Sequence, residues 1–310
     1  MGHVVVFAPA PVLTVTVEGQ HGEPEIHIHA GGQGIWHARM LRALGVEVTM
    51  CSVIAGETGR LLRHLIDDEG IELLAVDGSA HNGAYIHDRR DGERVSIAEA
   101  GGDRITRHDL DELYGLTLKA GMDAGTVMLS GAVREDIVPA TIYRRLASDL
   151  NTVGCQVIAD LSGKRLTMAL AGGLSVVKTA HDELEADGRA AGTDVPELVR
   201  AMQQLTSEGA SHAIVTRADE PTLLLSDGEL SEVQMPTLEV VDTHGGGDSL
   251  TAGVAAAMAA GADFQEAVTL GAAAGALNVT RHGLGSGTRE TVHRLRELVS
   301  IRPLDSVGDE

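Results

Sequence analysis

The chain reads as an α/β protein: a mostly parallel sheet with helices on both faces, carrying a small separate β-sheet. Three observations predict this architecture. Val4-Val5-Val6-Phe7-Ala8 is a continuous apolar run of the kind shown by a strand covered on both faces. From Thr106 onward, strand-like and helix-like segments alternate, which means βαβ units and a parallel sheet. Four other segments, 12–17, 25–29, 83–88 and 93–98, interleave polar with apolar residues and suit a half-exposed sheet projecting from the main body.

Taken in order, the strand at 4–8 is followed by the alternating pair 12–17 and 25–29. His27 and His29 share one face of the second strand, but with no third ligand in view they read as a solvated face rather than a metal site. Gly31-Gly32-Gln33-Gly34 opens a helix that runs to Leu44 and stops at Gly45. A dinucleotide fingerprint counted from Gly32 needs a small residue at its sixth position. His37 stands there, and the preceding strand is not a buried one, so that reading is rejected. A strand over 46–54 and a helix over 58–68 come next. The segments 83–88 and 93–98, joined around Asp91-Gly92, form a hairpin. Beyond it the spacing predicts a helix from Thr106 with a capping-box-like Asp109, strand 126–129, helix 135–150, strand 156–160, a short helix from Lys164 and strand 174–178. Helix 196–207 and strand 213–216 follow. Three helices (250–260, 263–281 and 288–300) lead to a frayed tail at 303–310. No linker interrupts the chain, so a single domain over 1–310 is expected, with lid strands inserted within 11–30 and 81–102.

Composition narrows the function. A formal net charge of −21, spread along 310 residues, argues against nucleic acid or an anionic membrane as a partner. A polyanionic ligand would need Mg²⁺ and local donors to offset that charge. Cys51 and Cys155, the only two cysteines, lie in apolar runs and fit a reducing compartment. With no apolar run of about 18 residues and no leader pattern, a cytoplasmic location is expected. Aromatics make up 2% of the chain, so the core must be packed from Ala, Val, Leu and Ile.

The segment Val241-Asp242-Thr243-His244-Gly245-Gly246-Gly247-Asp248-Ser249 carries the chemistry. Three glycines at a helix start leave backbone N–H groups uncovered, and with the positive end of the helix dipole they make an anion site. A carboxylate beside such a site suits phosphoryl transfer. The amides of Gly245, Gly246 and Gly247 hold the moving phosphate, and Asp248 takes the proton of an acceptor hydroxyl. Ser130-Gly131, Asp160, Lys178 and Thr216 all fall at C-terminal strand ends, where ligands of such sheets bind.

This constellation resembles the ribokinase-like, or phosphofructokinase-B, carbohydrate kinases. The resemblance rests on the glycine-helix signature at 31–44, Ser130-Gly131, Val176-Val177-Lys178 with Glu183, and Asp-Thr-x-Gly-x-Gly-Asp at 242–248. Ala8-Pro9-Ala10, Ala55-Gly56-Glu57-Thr58-Gly59 and Leu129-Ser130-Gly131 are similar to the 1-phosphofructokinase and tagatose-6-phosphate kinase branch. The resemblance implies a three-layer ribokinase-like fold of nine or so strands whose β-sheet lid closes over a sugar. It implies transfer from ATP·Mg²⁺ to a hydroxyl, with Asp248 as base and Gly245 to Gly247 as anion hole. Gly31, Gly32, Gln33, Trp36, Arg39 and Ser130 would meet the substrate. Lys178, Thr216 and Thr243 would lie along the nucleotide, Glu183 would belong to the metal network, and the lid strands would pair a homodimer.

The departures fall at the sugar end. Gln33 replaces the family's Lys, Trp36 an Asn, Ala8 an Asn, Val12 a sugar-binding Asp and Ala180 an Asn; Ala218 and Pro221 replace glycines, and Gly246 replaces an Ala. Arg39, Arg89, Arg90 or Arg94 could supply the cation that Gln33 lacks. Trp36 could stack on a ring or fill the core beneath the lid. The leading expectation is an ATP-dependent kinase for a sugar or sugar phosphate. Two alternatives stand beside it: a kinase for a nucleoside or other unphosphorylated alcohol, and a kinase-fold binding or regulatory protein.

Overall fold

The computed structural model describes residues 2–20, 23–91, 94–281 and 283–304. In chain order the elements are β1 (His3–Phe7), β2 (Val12–Gln20), β3 (Glu23–Gly31), α1 (Gln33–Ala43), β4 (Glu47–Ile54), α2 (Gly56–Asp68), β5 (Glu72–Asp77), β6 (Ala84–Asp88), β7 (Val95–Ala100), α3 (Arg107–Ala124), β8 (Thr126–Ser130) and α4 (Thr141–Thr152). They continue with β9 (Gln156–Asp160), α5 (Gly163–Leu170), β10 (Leu174–Ala180), α6 (His181–Ala186), α7 (Val195–Glu208), β11 (Ala210–Arg217), β12 (Glu220–Ser226), β13 (Glu229–Gln234), α8 (Gly246–Ala259), α9 (Phe264–Asn278), α10 (Arg289–Arg296) and β14 (Ser300–Pro303).

Ten strands form one sheet in the order β14-β13-β12-β11-β10-β9-β8-β1-β4-β5. Pairing is parallel from β11 to β5, and β12, β13 and β14 extend it antiparallel. This is the layered α/β architecture that the resemblance implies. Side-chain alternation sends Val127, Val157 and Val177 into a core under α3, α4, α5 and α7, and Met128, Ile158, Val176 and Ile214 into a second core with α1, α8 and α9. The low aromatic content is answered by close helix packing. A Cβ on Gly253 would lie 2.6 Å from the Gly271 Cα, so α8 and α9 meet backbone to backbone.

The small sheet has the order β3-β2-β6-β7, so the four polar-alternating segments do assemble together. The β2–β3 and β6–β7 pairs are antiparallel and β2–β6 is parallel. The turn expected around Asp91-Gly92 includes Gly92 and Glu93, which lie outside the described residues.

Several boundaries differ from expectation. The helix predicted from Glu135 begins only at Thr141, after Pro139, consistent with the exclusion of the α conformation before a proline. The last helix ends at Arg296, and residues 300–303, expected as helix end and tail, form the edge strand β14 against β13. Pro303 is tolerated there because an edge strand can lack a donor. Residues 305–310 of the expected tail lie outside the described residues. The hairpin β12–β13 was missed although Asp227-Gly228 marks it: both residues have positive φ, 51° and 81°, as a tight two-residue turn requires. Thr106 caps α3 by accepting from the Asp109 amide, while the Asp109 carboxylate faces the Ser79 amide instead of closing a capping box.

Candidate active site

Register alone places the polar groups of the site. Ser130 pairs with Asp160 and Asp160 with Lys178 across three adjacent parallel strands, so their side chains leave the same face in a row. That face is the one covered by α1 and α8, and the row caps the apolar stripe Met128–Ile158–Val176 at its C-terminal end. Helix α1 begins tightly against β1: a Cβ on Gly34 would come within 2.3 Å of the Ala8 Cβ, so both positions are held small.

Helix α8 starts at Gly246 with Gly245 as its N-cap, at φ 73°, a left-handed conformation that favours glycine. No side chain caps this end, so the N–H groups of Gly245, Gly246, Gly247 and Asp248 have no intrahelical acceptor and can receive an anion. The triglycine turn is half-buried, neither sealed nor fully exposed. It is held from behind by Asn278, which donates to the His244 carbonyl (2.8 Å) and accepts from the Gly285 amide (2.9 Å). Asp242 fixes the approach to the turn, accepting from the His244 amide at 3.0 Å and from Arg89 of the lid at 2.5 Å. Burial opposes its ionisation, but these donors hold its carboxyl below the usual range.

Beneath the helix start lies a buried cluster. The Lys178 Nζ is 3.2 Å from Asp160 Oδ2, and Thr251 donates to the same oxygen at 2.8 Å. A Cβ on Gly247 would be 2.6 Å from Nζ, which explains a glycine there. His37, fully buried on α1, places Nδ1 2.9 Å from Ser130 Oγ and Nε2 3.5 Å from Asp248 Oδ1 and 3.6 Å from Asp160 Oδ2. Burial raises the pKa of a carboxyl, yet Lys178 and His37 hold Asp160 well below its ordinary value. Burial lowers that of an ammonium, yet the carboxylates push Lys178 up. His37, Asp160 and Asp248 each turn one ligand atom to a common point, within 4.8 Å of one another. The Lys178 ammonium, 3.2 Å from Asp160, gives this cluster positive charge from the protein itself.

The remaining expected residues are spread around this centre. Gln33 accepts from the Gly131 amide at 2.7 Å, tying the start of α1 to the end of β8. Ser130 is buried and turned to His37. Trp36 and Arg39 line a cavity of about 800 Å³ between the lid and the body, together with Thr14, Thr16, Arg89 and Arg94. Trp36 lines this cavity and also packs against the core beneath the lid. Arg39 is engaged by Glu69 at 2.5 and 2.6 Å. Gly31 ends β3 opposite Val12, Gly32 caps the start of α1, and Thr243 is exposed. Glu183, at the start of α6, accepts from the Ala180 amide at 2.9 Å and from Thr179 at 3.3 Å, both through Oε2. Thr216 lies one residue before the end of β11, opposite Ala180, and beyond the strand Ala218 keeps a left-handed φ of 50°. Lys178, expected along the nucleotide, is buried with its Nζ beneath Gly247 of the turn. Sequence reasoning assigned no role to His37, Thr251 or Asn278. Asp160 was noted only as a strand end, and register with Lys178 was the signal that could have joined the two.

Uncovered amides and a carboxylate at one helix start are groups suited to phosphoryl transfer. The chain belongs to the pfkB family of carbohydrate kinases, whose pattern matches residues 2–291. It is 26% identical over 281 residues to a 1-phosphofructokinase of Bacillus subtilis, covering 89% of each chain. It is 27% identical over 277 residues to an ATP-dependent 6-phosphofructokinase isozyme 2 of Mycobacterium tuberculosis, covering 87% of this chain and 80% of that one. The crystal structure of phosphofructokinase-2 from Escherichia coli in complex with potassium superposes with a TM-score of 0.85 over 96% of this chain and 99% of that one, at 23% identity. The protein is accordingly a kinase that transfers phosphate to a sugar hydroxyl. Among the described residues no helix is long and apolar enough to cross a membrane.

Proposed function

We propose that the protein is a phosphofructokinase-like kinase whose acceptor is a sugar phosphate and whose donor is ATP. Asp248 is the general base, and the amides of the Gly245–Gly247 turn bind the transferring phosphoryl group. The observation that carries this reading is the uncapped start of α8, with four free amides beside a carboxylate that is 14% exposed. The acceptor oxygen loses its proton to Asp248 as its bond to phosphorus forms and the bond to the ADP leaving oxygen breaks.

The lid cavity supports an anionic acceptor. Arg42, Arg94 and Arg281 line it and have no carboxylate partner among the described residues, in a chain whose formal net charge is −21. Arg94 donates instead to His87 at 2.7 Å, and burial, helped by the nearby Arg39 and Arg94 charges, lowers His29 to about 4, so His29 is neutral at pH 7. The guanidinium groups take the place of the lysine that Gln33 lacks.

The residues present fit Mg²⁺ at one point. Glu183 uses only Oε2 for protein donors and leaves Oε1 without one among the described residues, and burial raises its pKa, a cost a cation would relieve. Bound there with its water shell, Mg²⁺ would neutralise charge on the donor phosphates. Thr216 and Thr243 are read as nucleotide contacts. The lid also presents Ile26, Ile28 and Ile86 on one face, 65%, 54% and 37% exposed, and we read that face as covered by the lid of a second copy in a homodimer.

A panel of phosphorylated sugars, their unphosphorylated parents and nucleosides, followed by ADP release and thermal shift, tests the acceptor. Turnover and stabilisation confined to phosphosugars are expected. Turnover confined to unphosphorylated alcohols would reject the sugar-phosphate assignment.

A further inference from the structure

We infer that His37 is a positioning residue for the phosphoryl-transfer site, its Nε2–H held between the carboxylates of Asp248 and Asp160 so that Asp248 has a counter-charge and is aimed at the acceptor. The inference rests on the reading of Asp248 as general base and goes beyond it.

The geometry leaves the ring little choice. His37 is fully buried, Nδ1 is taken by Ser130 Oγ at 2.9 Å, and Nε2 has no hydrogen-bond partner at normal distance. What Nε2 faces is two carboxylate oxygens, at 3.5 Å from α8 and 3.6 Å from β9. A lone pair pointed at both would be repelled by both, so Nε2 carries the proton. The Ser130 hydroxyl can donate to Nδ1 or accept from it, so the ring can hold one proton or two without moving.

Charge decides which state prevails. The groups around the ring are Asp248 and Thr251 from α8, Asp160 from β9, Ser130 from β8 and, beyond Asp160, Lys178 from β10. Asp160 and Asp248 set two carboxylates against the single Lys178 ammonium, which also feels Glu183, so the cluster is net negative beside amides that must accept an anion. An imidazolium at His37 offsets part of that charge. Burial alone lowers the pKa of a histidine, but the attraction of the two carboxylates outweighs that and raises His37 to about 9. His37 keeps its protons through the reaction. The acceptor proton goes to Asp248, and His37 acts only through the position and charge of that carboxylate.

The test measures kcat against pH for the full chain carrying His37→Leu or His37→Gln, with unfolding temperature and donor-nucleotide binding as fold controls. Gln keeps an N–H at similar reach without the charge. For His37→Leu the expected result is a kcat about 100-fold lower and an acid limb moved up by about one pH unit, because Asp248 has lost its counter-charge. For His37→Gln, kcat is expected within about tenfold of the unsubstituted enzyme, with the limb still displaced. Acid limbs at the original position in both variants overturn the inference, whatever happens to kcat, because loss of packing moves rate but not titration. If His37→Leu does not fold, the limb of His37→Gln decides alone. Asp248→Asn separates the two layers. An inactive Asp248→Asn with unmoved limbs in the His37 variants rejects only the role of His37; an active one rejects the base on which it rests.

Discussion

Replacing Lys178 with Met asks whether the cluster under the triglycine turn is a true ion pair. Met keeps the length of the stem and removes the ammonium, whose Nζ lies 3.2 Å from Asp160 Oδ2 with the two side chains 8% and 2% exposed. Removing one partner of a buried pair costs about 3–5 kcal/mol, because the other charge is left uncompensated. Asp160 would retain Thr251 at 2.8 Å and His37 at 3.6 Å, which places the cost near the lower bound, about 3 kcal/mol. For a chain of this size that is a fall of about 6 °C in unfolding temperature. Asp160→Asn combined with Lys178→Met removes both charges and should recover most of the loss, a coupling of about 2 kcal/mol. Thermal or urea unfolding at pH 7 reads both. A Lys178→Met protein unfolding within about 1 °C of the unsubstituted chain, or a double variant less stable than either single one, would refute the reasoning.

Stability should depend on pH in a way that identifies His37. Its folded pKa of about 9 lies above the ordinary value of 6.5, so its contribution is complete below pH 6.5 and is lost as pH rises through 9. Urea unfolding at pH 6.5 and pH 9.5 should show a loss of about 3 kcal/mol that is absent in His37→Gln. Asp160, depressed by its cations, acts in the opposite direction: its contribution is present above the ordinary carboxylate range and disappears as pH falls below it. Gly245→Ala would place a Cβ at φ 73°, 3.1 Å from Leu284 Cδ2 and 3.3 Å from Asn278 Nδ2. A stability loss of about 1–2 kcal/mol is expected, with a larger fall in kcat, about tenfold or more, because the turn that presents the amides must shift. Unfolding and steady-state rates on one preparation would check both.

The parts legible in the sequence were those in which local pattern and tertiary environment agree. Val4 to Ala8 is apolar at every position because β1 is covered on both faces, and the lid strands alternate because one side of that sheet meets a wet cavity. The uncapped helix start at Gly245 could be read because three glycines in a row leave no side chain to cap it. His37 could not. Its meaning comes from Ser130, Asp160 and Asp248, which are distant in the chain and become neighbours only when β8 and β9 pair and α1 packs against α8. Seen in one dimension it was a bulky residue spoiling a glycine fingerprint. The pairing of Lys178 with Asp160 was hidden for a related reason: it follows from the register of β9 and β10 and from nothing in either residue's local sequence. β5 and β14 are short edge strands whose pairing depends on neighbours contributed from elsewhere.

The central claim is that Asp248 deprotonates the acceptor while the adjoining amides hold the phosphoryl group. Single-turnover phosphate transfer by Asp248→Asn tests it most directly, because Asn keeps the shape of the side chain and removes its basicity. The account predicts a rate at least about 10³-fold lower with unfolding temperature and ATP affinity unchanged. A rate within about threefold of the unsubstituted enzyme would contradict it.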